Sequence, residues 1–298
     1  MSIRPAPKAY SGVFSSAPWL LPTQPKTFGA RLRWWRQRRG LSQLDFAGAA
    51  GTSQRHLSFL ESGRTAPSQE MVLRLAAALD VPLRQQNALL LAAGYAPVWR
   101  ESELTAPALA QVNGALDQML AQQEPFPAFV VDRRWSLLRA NQAAARLTEF
   151  LAGPTPSSPA PPGAPNLADA LVSPDGLRPF IVNWEEVALH FLRGVQADAA
   201  ADGMPETARL RDRLTAYPGI PALAAIALPE TPAGPVLAIH FRKGETSLRL
   251  FTTIATLGTP QDVTLQEIRI ECFFPADEPT AATFRRWAAG GDRSSAAQ

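Results

Sequence analysis

Apolar positions in the first third of the chain recur with the spacing of helices. Between residues 27 and 94 a single proline, Pro67, comes before Pro82, and helix formers fill most other positions. Apolar side chains three and four residues apart form one face of a helix. The pattern therefore predicts a compact helical unit at 27–94.

The second half of the chain mixes two periods. Residue composition predicts a helix at 109–122, and the helical spacing of apolar residues predicts helices at 141–151 and 184–201. Alternation predicts strands at 128–131, 136–140, 236–242, 247–254 and 267–274. This mixture predicts an α+β domain with an antiparallel sheet.

Two details refine the later strands. Gly244 suits a hairpin turn between the strands at 236–242 and 247–254. The apolar stripe of the last strand consists of Ile268, Ile270, Cys272 and Phe274. We expect that stripe to face the core.

Proline-rich stretches separate these patterns into a multidomain chain. The predicted divisions are an extended arm at 1–25, an all-α domain at 26–95, a linker at 96–106, an α+β domain at 107–290 with a mobile proline-rich loop at 153–165, and a disordered tail at 291–298.

Charge is distributed unevenly between the two domains. The 298 residues carry a net charge of only +3. Residues 26–100 contain 11 Lys and Arg against 4 Asp and Glu, whereas residues 101–298 contain 16 against 22. A basic unit joined to an acidic one favours a polyanion-binding module attached to a domain that avoids polyanions.

Composition excludes several other classes. One cysteine, Cys272, and three dispersed histidines argue against a disulfide framework and a metal site. No apolar run approaches 18 residues and no signal peptide is recognisable, so we expect a cytoplasmic protein without membrane contact. No motif typical of a catalytic site occurs, and we therefore predict no enzyme and no catalytic residues.

The basic unit contains the pattern of a helix, a tight turn and a second helix. Ser42 and Ser53 are placed to cap the two helices, and Gly51 permits the positive φ of the turn. Leu57 and Leu60 share the inward face of the second helix. The side chains that project elsewhere, and can reach DNA, are Gln54, Arg55, Ser58 and Phe59.

These spacings together resemble the Cro/repressor-type (XRE) helix-turn-helix family. The residues that carry the resemblance are Leu32, Arg33, Arg36, Gly40–Gln43, Ala47, Gly51, Leu57, Ser58, Leu60–Arg64 and Pro67. The resemblance implies five helices, with the third in the major groove, and a structural pair between Arg36 and Glu61. It also implies DNA contacts from Gln43, Ser53, Gln54, Arg55, Ser58, Phe59, Ser62 and Arg64. Two alternatives remain for Phe59, contact with a thymine methyl group or burial.

Large apolar residues in the acidic domain can line a cavity. They are Trp135, Phe180, Trp184, Phe191, Phe241, Phe251, Phe273 and Phe274. With His190 and Arg193 as a cationic end, Trp184 is a candidate contact for an amphiphilic carboxylate. The same side chains also suit a filled core. Asn141, at a strand-to-helix junction, is interpreted as a helix cap.

Residues 127–135, 138–144 and 183–188, followed by Arg193, are similar to the ligand-binding domain of MmyB-like regulators. The likeness covers about 107–290. It implies a PAS-like fold and a fatty-acid-like ligand, with no other cofactor.

The combined prediction is a transcription regulator that binds double-stranded operator DNA as a homodimer, because one recognition helix reads only a few base pairs. A small apolar or amphiphilic ligand is expected to modulate that binding. The alternative is a DNA-tethered adaptor whose second domain binds a protein partner.

Overall fold

The computed structural model describes residues 25–153, 165–220 and 236–295. Most of the predicted arm and of the predicted mobile loop lies outside these residues, which contain only Pro25 of the arm and Gly153 and Pro165 of the loop.

Five helices form the N-terminal domain, as predicted. They are α1 Phe28–Arg38, α2 Gln43–Ala49, α3 Gln54–Glu61, α4 Gln69–Ala78 and α5 Leu83–Ala92. The hydroxyls of Ser42 and Ser53 accept hydrogen bonds from the third N–H of α2 and α3. Gly51 lies between these helices with φ of 62°, in the left-handed region that glycine adopts without strain.

The core of this domain holds α3 firmly against α1. Leu32 and Trp35 of α1 pack in one buried cluster with Leu57 and Leu60 of α3. Gly29 is needed at the crossing, because a Cβ atom there would collide with the carbonyl oxygens of Leu60 and Glu61. The close contact fixes the orientation of α3 relative to the rest of the domain.

The C-terminal domain is α+β, as predicted. After a 3₁₀ turn at Pro107–Leu109 its elements are α6 Ala110–Gln122, β1 Ala128–Val131, β2 Leu137–Ala140, α7 Gln142–Ala152, α8 Leu167–Val172, a second 3₁₀ turn at Arg178–Phe180, α9 Trp184–Asp202, α10 Pro205–Thr215, β3 Ile239–Lys243, β4 Thr246–Ala255, α11 Val263–Glu267, β5 Arg269–Pro275 and α12 Glu278–Ser295.

The five strands form one antiparallel sheet in the order β2-β1-β5-β4-β3. Buried side chains cover both faces of this sheet. The larger cluster includes Phe129, Trp184 and Phe273, and the smaller includes Leu116 of α6 and Ile270. Two covered faces explain why β1 is buried at all four positions.

The predicted stripe of β5 does face a core, and double coverage adds a second core on the other face of the strand. The predicted stripe of Ile270 and Cys272 belongs to the smaller cluster, whereas Phe273 belongs to the larger one. Of the aromatic residues proposed for a cavity, Phe251 and Phe274 belong to neither cluster and stack on each other with ring centroids 5.6 Å apart.

Several helices of this domain are absent from the predicted elements. The structure adds α8, α10, α11 and α12, and β3 begins at Ile239 instead of residue 236. Phe284 of α12 is buried in the larger cluster, with Trp287 packed beside it. The tail predicted as disordered at 291–298 is helical as far as Ser295, and residues 296–298 lie outside the described part of the chain.

Candidate functional site

The outward face of α3 and the loop after it carry the residues predicted to contact DNA. Gln54, Arg55, Ser62 and Arg64 are exposed, and Ser58 is half-buried. Ser53 is also exposed, and its Oγ accepts the N–H of His56 at 3.1 Å. This set therefore forms one polar surface that is open to a partner.

A charged group lies behind this surface, where α3 meets α1. The side chain of Glu61 is fully buried and accepts hydrogen bonds from Arg36 Nε at 2.6 Å and Nη2 at 2.9 Å. The pair implied by the resemblance is thus present. Gln43 Nε2 also donates to Glu61 at 2.9 Å, and Arg33 lies 3.4 Å away. The amide of Gln43, a residue predicted to contact DNA, therefore takes part in the interior network.

The pKa of Glu61 reflects these contacts. Burial acts to raise it, but the hydrogen bonds from Arg36 and Gln43 and the charges of Arg36 and Arg33 bring the pKa below its ordinary value. Glu61 is thus held ionised, and it fixes the start of α2, the end of α3 and the basic face of α1 to one another.

Phe59 lies outside the buried core of the N-terminal domain. Its ring is half-buried but belongs neither to the core cluster nor to the side chains packed against it. The guanidinium of Arg55 lies 5.5 Å from the ring centroid and that of Arg64 lies 5.8 Å from it. Of the two alternatives for Phe59, burial in the core is therefore not the one found in the structure.

The three residues predicted to bind a ligand do not share one environment. Trp184 is buried in the larger cluster, donates its indole N–H to the carbonyl of Leu171 at 3.0 Å, and is covered by the guanidinium of Arg178 at 3.7 Å. His190 is exposed, and Arg193 is half-buried. Trp184 and His190 therefore lie on different sides of α9.

Sequence reasoning missed two polar residues on the inner face of β5. Glu271 pairs directly with Phe129 of β1, so both side chains project toward the larger cluster. Burial raises the pKa of Glu271 to about 7, opposed by a hydrogen bond with Thr252 and by the charge of Arg269. Arg269 and Glu271 alternate with Ile270 and Cys272 along β5. This alternation is the sequence signal that could have placed both polar residues on one face of the strand.

Arg269 lies between the sheet and α9. Its Nη1 donates to Asp198 at 2.6 Å, and its guanidinium lies 6.0 Å from the ring centroid of Trp135. Trp135 in turn packs edge-on against Phe191, with centroids 4.8 Å apart. The inner face is thus largely apolar, with an acid and a base side by side on one strand.

The same part of the domain contacts the N-terminal domain through ion pairs. Arg84, at the start of α5, donates its Nε to Glu267 at 2.8 Å and also pairs with Glu101. These hydrogen bonds, with that to Glu267 strongest, hold the pKa of Arg84 above its ordinary value. Glu267 also lies 3.3 Å from Arg133 of the C-terminal domain. Glu267 therefore bridges a cation of each domain.

Arg133 and Trp135 belong to the same turn between β1 and β2. Trp135 has φ of 63°, a backbone conformation that is rare for a bulky residue. Asp132 stabilises the turn by accepting the N–H groups of Arg134 and Ser136, both at 2.8 Å. One rigid turn thus connects the ion pairs at the domain contact to the aromatic interior.

Within the described residues, no helix combines the length and apolar character that crossing a bilayer requires. Across those residues, likewise, no group of three or more His, Cys, Asp or Glu is arranged to hold a metal ion.

Comparison with known families identifies both domains. Residues 32–86 match a helix-turn-helix family model, and residues 112–286 match the model of the MmyB-like transcription regulator ligand binding domain. A comparison with curated proteins found no match. The two matched families form regulator domains that bind DNA and ligands, which suggests a ligand-responsive transcription regulator. Because the second model spans more than half of the chain, this chain belongs to the MmyB-like transcription regulator ligand-binding family, with a helix-turn-helix domain in front of it.

Proposed function

We propose that this chain is a cytoplasmic transcription regulator that binds operator DNA as a homodimer through α3. A small apolar or fatty-acid-like molecule, bound in the C-terminal domain, changes the affinity for the operator. The observation that carries this proposal is the ion-pair connection from Arg84 through Glu267 to the turn that holds Trp135.

The surface of α3 supports the DNA-binding part. Arg55 and Gln54 are exposed, and both side chains can form bidentate hydrogen bonds to base edges in the major groove. The excess of basic residues in 26–100 would neutralise phosphates and make the affinity fall steeply with salt concentration.

The inner face of the sheet supports the ligand-binding part. A fatty-acid-like molecule needs an apolar environment for its chain and polar partners for its head group. The larger cluster supplies the apolar side chains. Glu271, with a pKa of about 7, is partly protonated near neutral pH and can donate to an oxygen of the head group, and Arg269 adds a positive charge beside it.

Coupling between the two sites requires a ligand that favours one domain arrangement over another. A ligand that displaces Trp135 or Arg269 would move the turn that carries Arg133. A change in the contact between Arg133 and Glu267 would then weaken or strengthen the ion pair between Glu267 and Arg84. Because Arg84 belongs to α5, that change would reach the N-terminal domain.

The test uses the full-length protein and an operator selected from a random DNA library. A series of saturated fatty acids serves as the ligand probe, and operator affinity is measured with and without each acid. We expect at least one acid to change the affinity severalfold. In Arg84→Met this change should shrink toward none, whereas Arg213→Met, which removes an ion pair with Asp169 inside the C-terminal domain, should keep it.

Other outcomes would contradict the proposal. A protein that remains monomeric under all conditions, with and without DNA, would contradict the dimer. A domain that binds none of the acids but retains a protein partner would instead support the DNA-tethered adaptor.

A further inference from the structure

We propose that Arg55 and Phe59 read two neighbouring base pairs together, Arg55 a guanine and Phe59 the methyl group of an adjacent thymine. The inference rests on the proposed operator binding and adds the chemistry of the bases that are recognised.

The first step is the position of Phe59. Leu57 and Leu60, on either side of it in sequence, are fully buried and fill the core of the N-terminal domain. The ring of Phe59 is excluded from that core and lies on the same surface as the exposed side chain of Arg55. An apolar ring on a DNA-facing surface needs an apolar partner in the groove, and the thymine methyl group is the one that the major groove offers.

The second step is the pairing of the ring with Arg55. The two residues are four positions apart on α3, so they are one turn apart on the same face. Their contact, with the guanidinium carbon 5.5 Å from the ring centroid, restricts the long arginine side chain before DNA arrives. Among the described residues Arg55 has no carboxylate partner, so its five N–H donors remain available for a base.

The third step is the spacing of the two groups. Guanine presents O6 and N7 to a guanidinium, and successive base pairs are separated by about 3.4 Å along the helix axis. The guanidinium carbon and the ring centroid are 5.5 Å apart, which is less than two such steps, so the two groups can reach the edges of neighbouring base pairs. One such unit reads a guanine and the thymine beside it.

Arg64 has a different part in this arrangement. It lies beyond the end of α3 at Glu61, with its guanidinium 5.8 Å from the centroid of the same ring. Residues in the loop after a recognition helix meet the phosphate backbone. Arg64 therefore supports the ring while contacting a phosphate.

The experiment combines protein variants with DNA in which single thymine methyl groups are removed. Operators are selected from a random library with the full-length protein, and each thymine of the selected half-site is replaced in turn by uracil, which removes only the methyl group. We expect one thymine per half-site to show a loss of about fourfold in affinity, the value for burying one methyl-sized group. In Phe59→Ala the same replacement should have no effect, and Phe59→Leu should keep part of it.

The variant Arg55→Ala locates the second base. It should relax the preference at the base pair next to the methyl-sensitive thymine, by roughly 5-fold to 150-fold. Trp34→Ala is the matched control, because Trp34 forms a similar contact with Arg38, at 4.2 Å, on α1. This variant should show the same uracil pattern as the unchanged protein.

Failures of the two proposals are distinguishable. A library from which no sequence is enriched would overturn operator binding and this inference together. An enriched operator with no methyl-sensitive thymine would overturn the inference alone. The same holds if the sensitivity persists in Phe59→Ala, or if Arg55→Ala relaxes a base pair that is not adjacent to that thymine.

Discussion

The two domains each shield a glutamate from water, but they shift its pKa in opposite directions. Glu61, in the helix-turn-helix domain, receives three hydrogen bonds from Arg36 and Gln43, and its pKa is lowered. Burial raises the pKa of Glu271, on the inner face of the sheet, to about 7, although a hydrogen bond with Thr252 and the charge of Arg269 act to lower it. The DNA-binding domain satisfies its interior acid, whereas the ligand-binding domain keeps one that is ready to accept or release a proton.

The largest expected effect comes from removing the main hydrogen-bond partner of Glu61. Arg36→Met leaves the fully buried Glu61 with Gln43 and the more distant Arg33. Removing one partner of a buried ion pair destabilises a protein by about 3–5 kcal/mol. Denaturant unfolding, followed by a signal from the N-terminal domain, should show a loss of this size.

Arg33→Met is the matched control for that variant. Arg33 contacts the same carboxylate, but at 3.4 Å and with a side chain that is 49% exposed. An exposed ion pair contributes about 1 kcal/mol or less. Equal losses in the two variants would contradict the view that Arg36 is the partner that keeps Glu61 ionised.

The two domains also differ in how much their sequences reveal. In the helix-turn-helix domain the signals are local: Ser42 and Ser53 cap their helices, and Gly51 makes the turn. Arg36 and Glu61 are 25 residues apart, yet the family resemblance predicts their contact. Short-range spacing is enough for this fold.

The C-terminal domain depends on pairings that no local pattern encodes. Arg84 and Glu267 are 183 residues apart. A strand covered on both faces lacks a single apolar stripe, so Ile270 and Cys272 indicated only the smaller cluster. Helix α12, by contrast, was predictable, because Ala281, Phe284 and Trp287 recur at helical spacing. The predicted strands end at residue 274, and no helix is predicted for the residues that follow them.

A second prediction compares helix caps in the two domains. Asn141, the buried cap of α7, accepts from the N–H groups of Ala128 and Ala144 and donates to the carbonyls of Phe126 and Leu120. Asn141→Ala removes the cap and leaves buried backbone groups without a partner, and we expect a loss of about 2–4 kcal/mol. Calorimetry of the C-terminal transition measures it.

Ser53→Ala provides the comparison for that loss. Ser53 is exposed, and its side chain accepts one N–H, that of His56, as the cap of α3. Its removal should destabilise the N-terminal domain by about 1 kcal/mol, since water can solvate the freed group. If Ser53→Ala costs as much as Asn141→Ala, burial does not distinguish the two caps.

The last comparison concerns Glu271, and the size of its effect depends on pH. Because its pKa is about 7 in the folded protein and ordinarily near 4.5, the folded state binds an extra proton between these values. The stability from this proton is fully present below pH 4.5 and is lost as the pH rises through 7. Glu271→Gln imitates the protonated form, so its advantage in stability over the unchanged protein should grow by about 1 kcal/mol for each pH unit between pH 5 and pH 7 and level off by pH 8. His240, whose pKa is lowered by burial and by the charges of Arg249 and Arg242, is present in both proteins and cancels in their difference. Glu61 stays ionised throughout, since its pKa lies below the range. Thermal unfolding of both proteins from pH 5 to 8 therefore isolates Glu271, and parallel curves would show that its carboxyl is solvated like a surface acid.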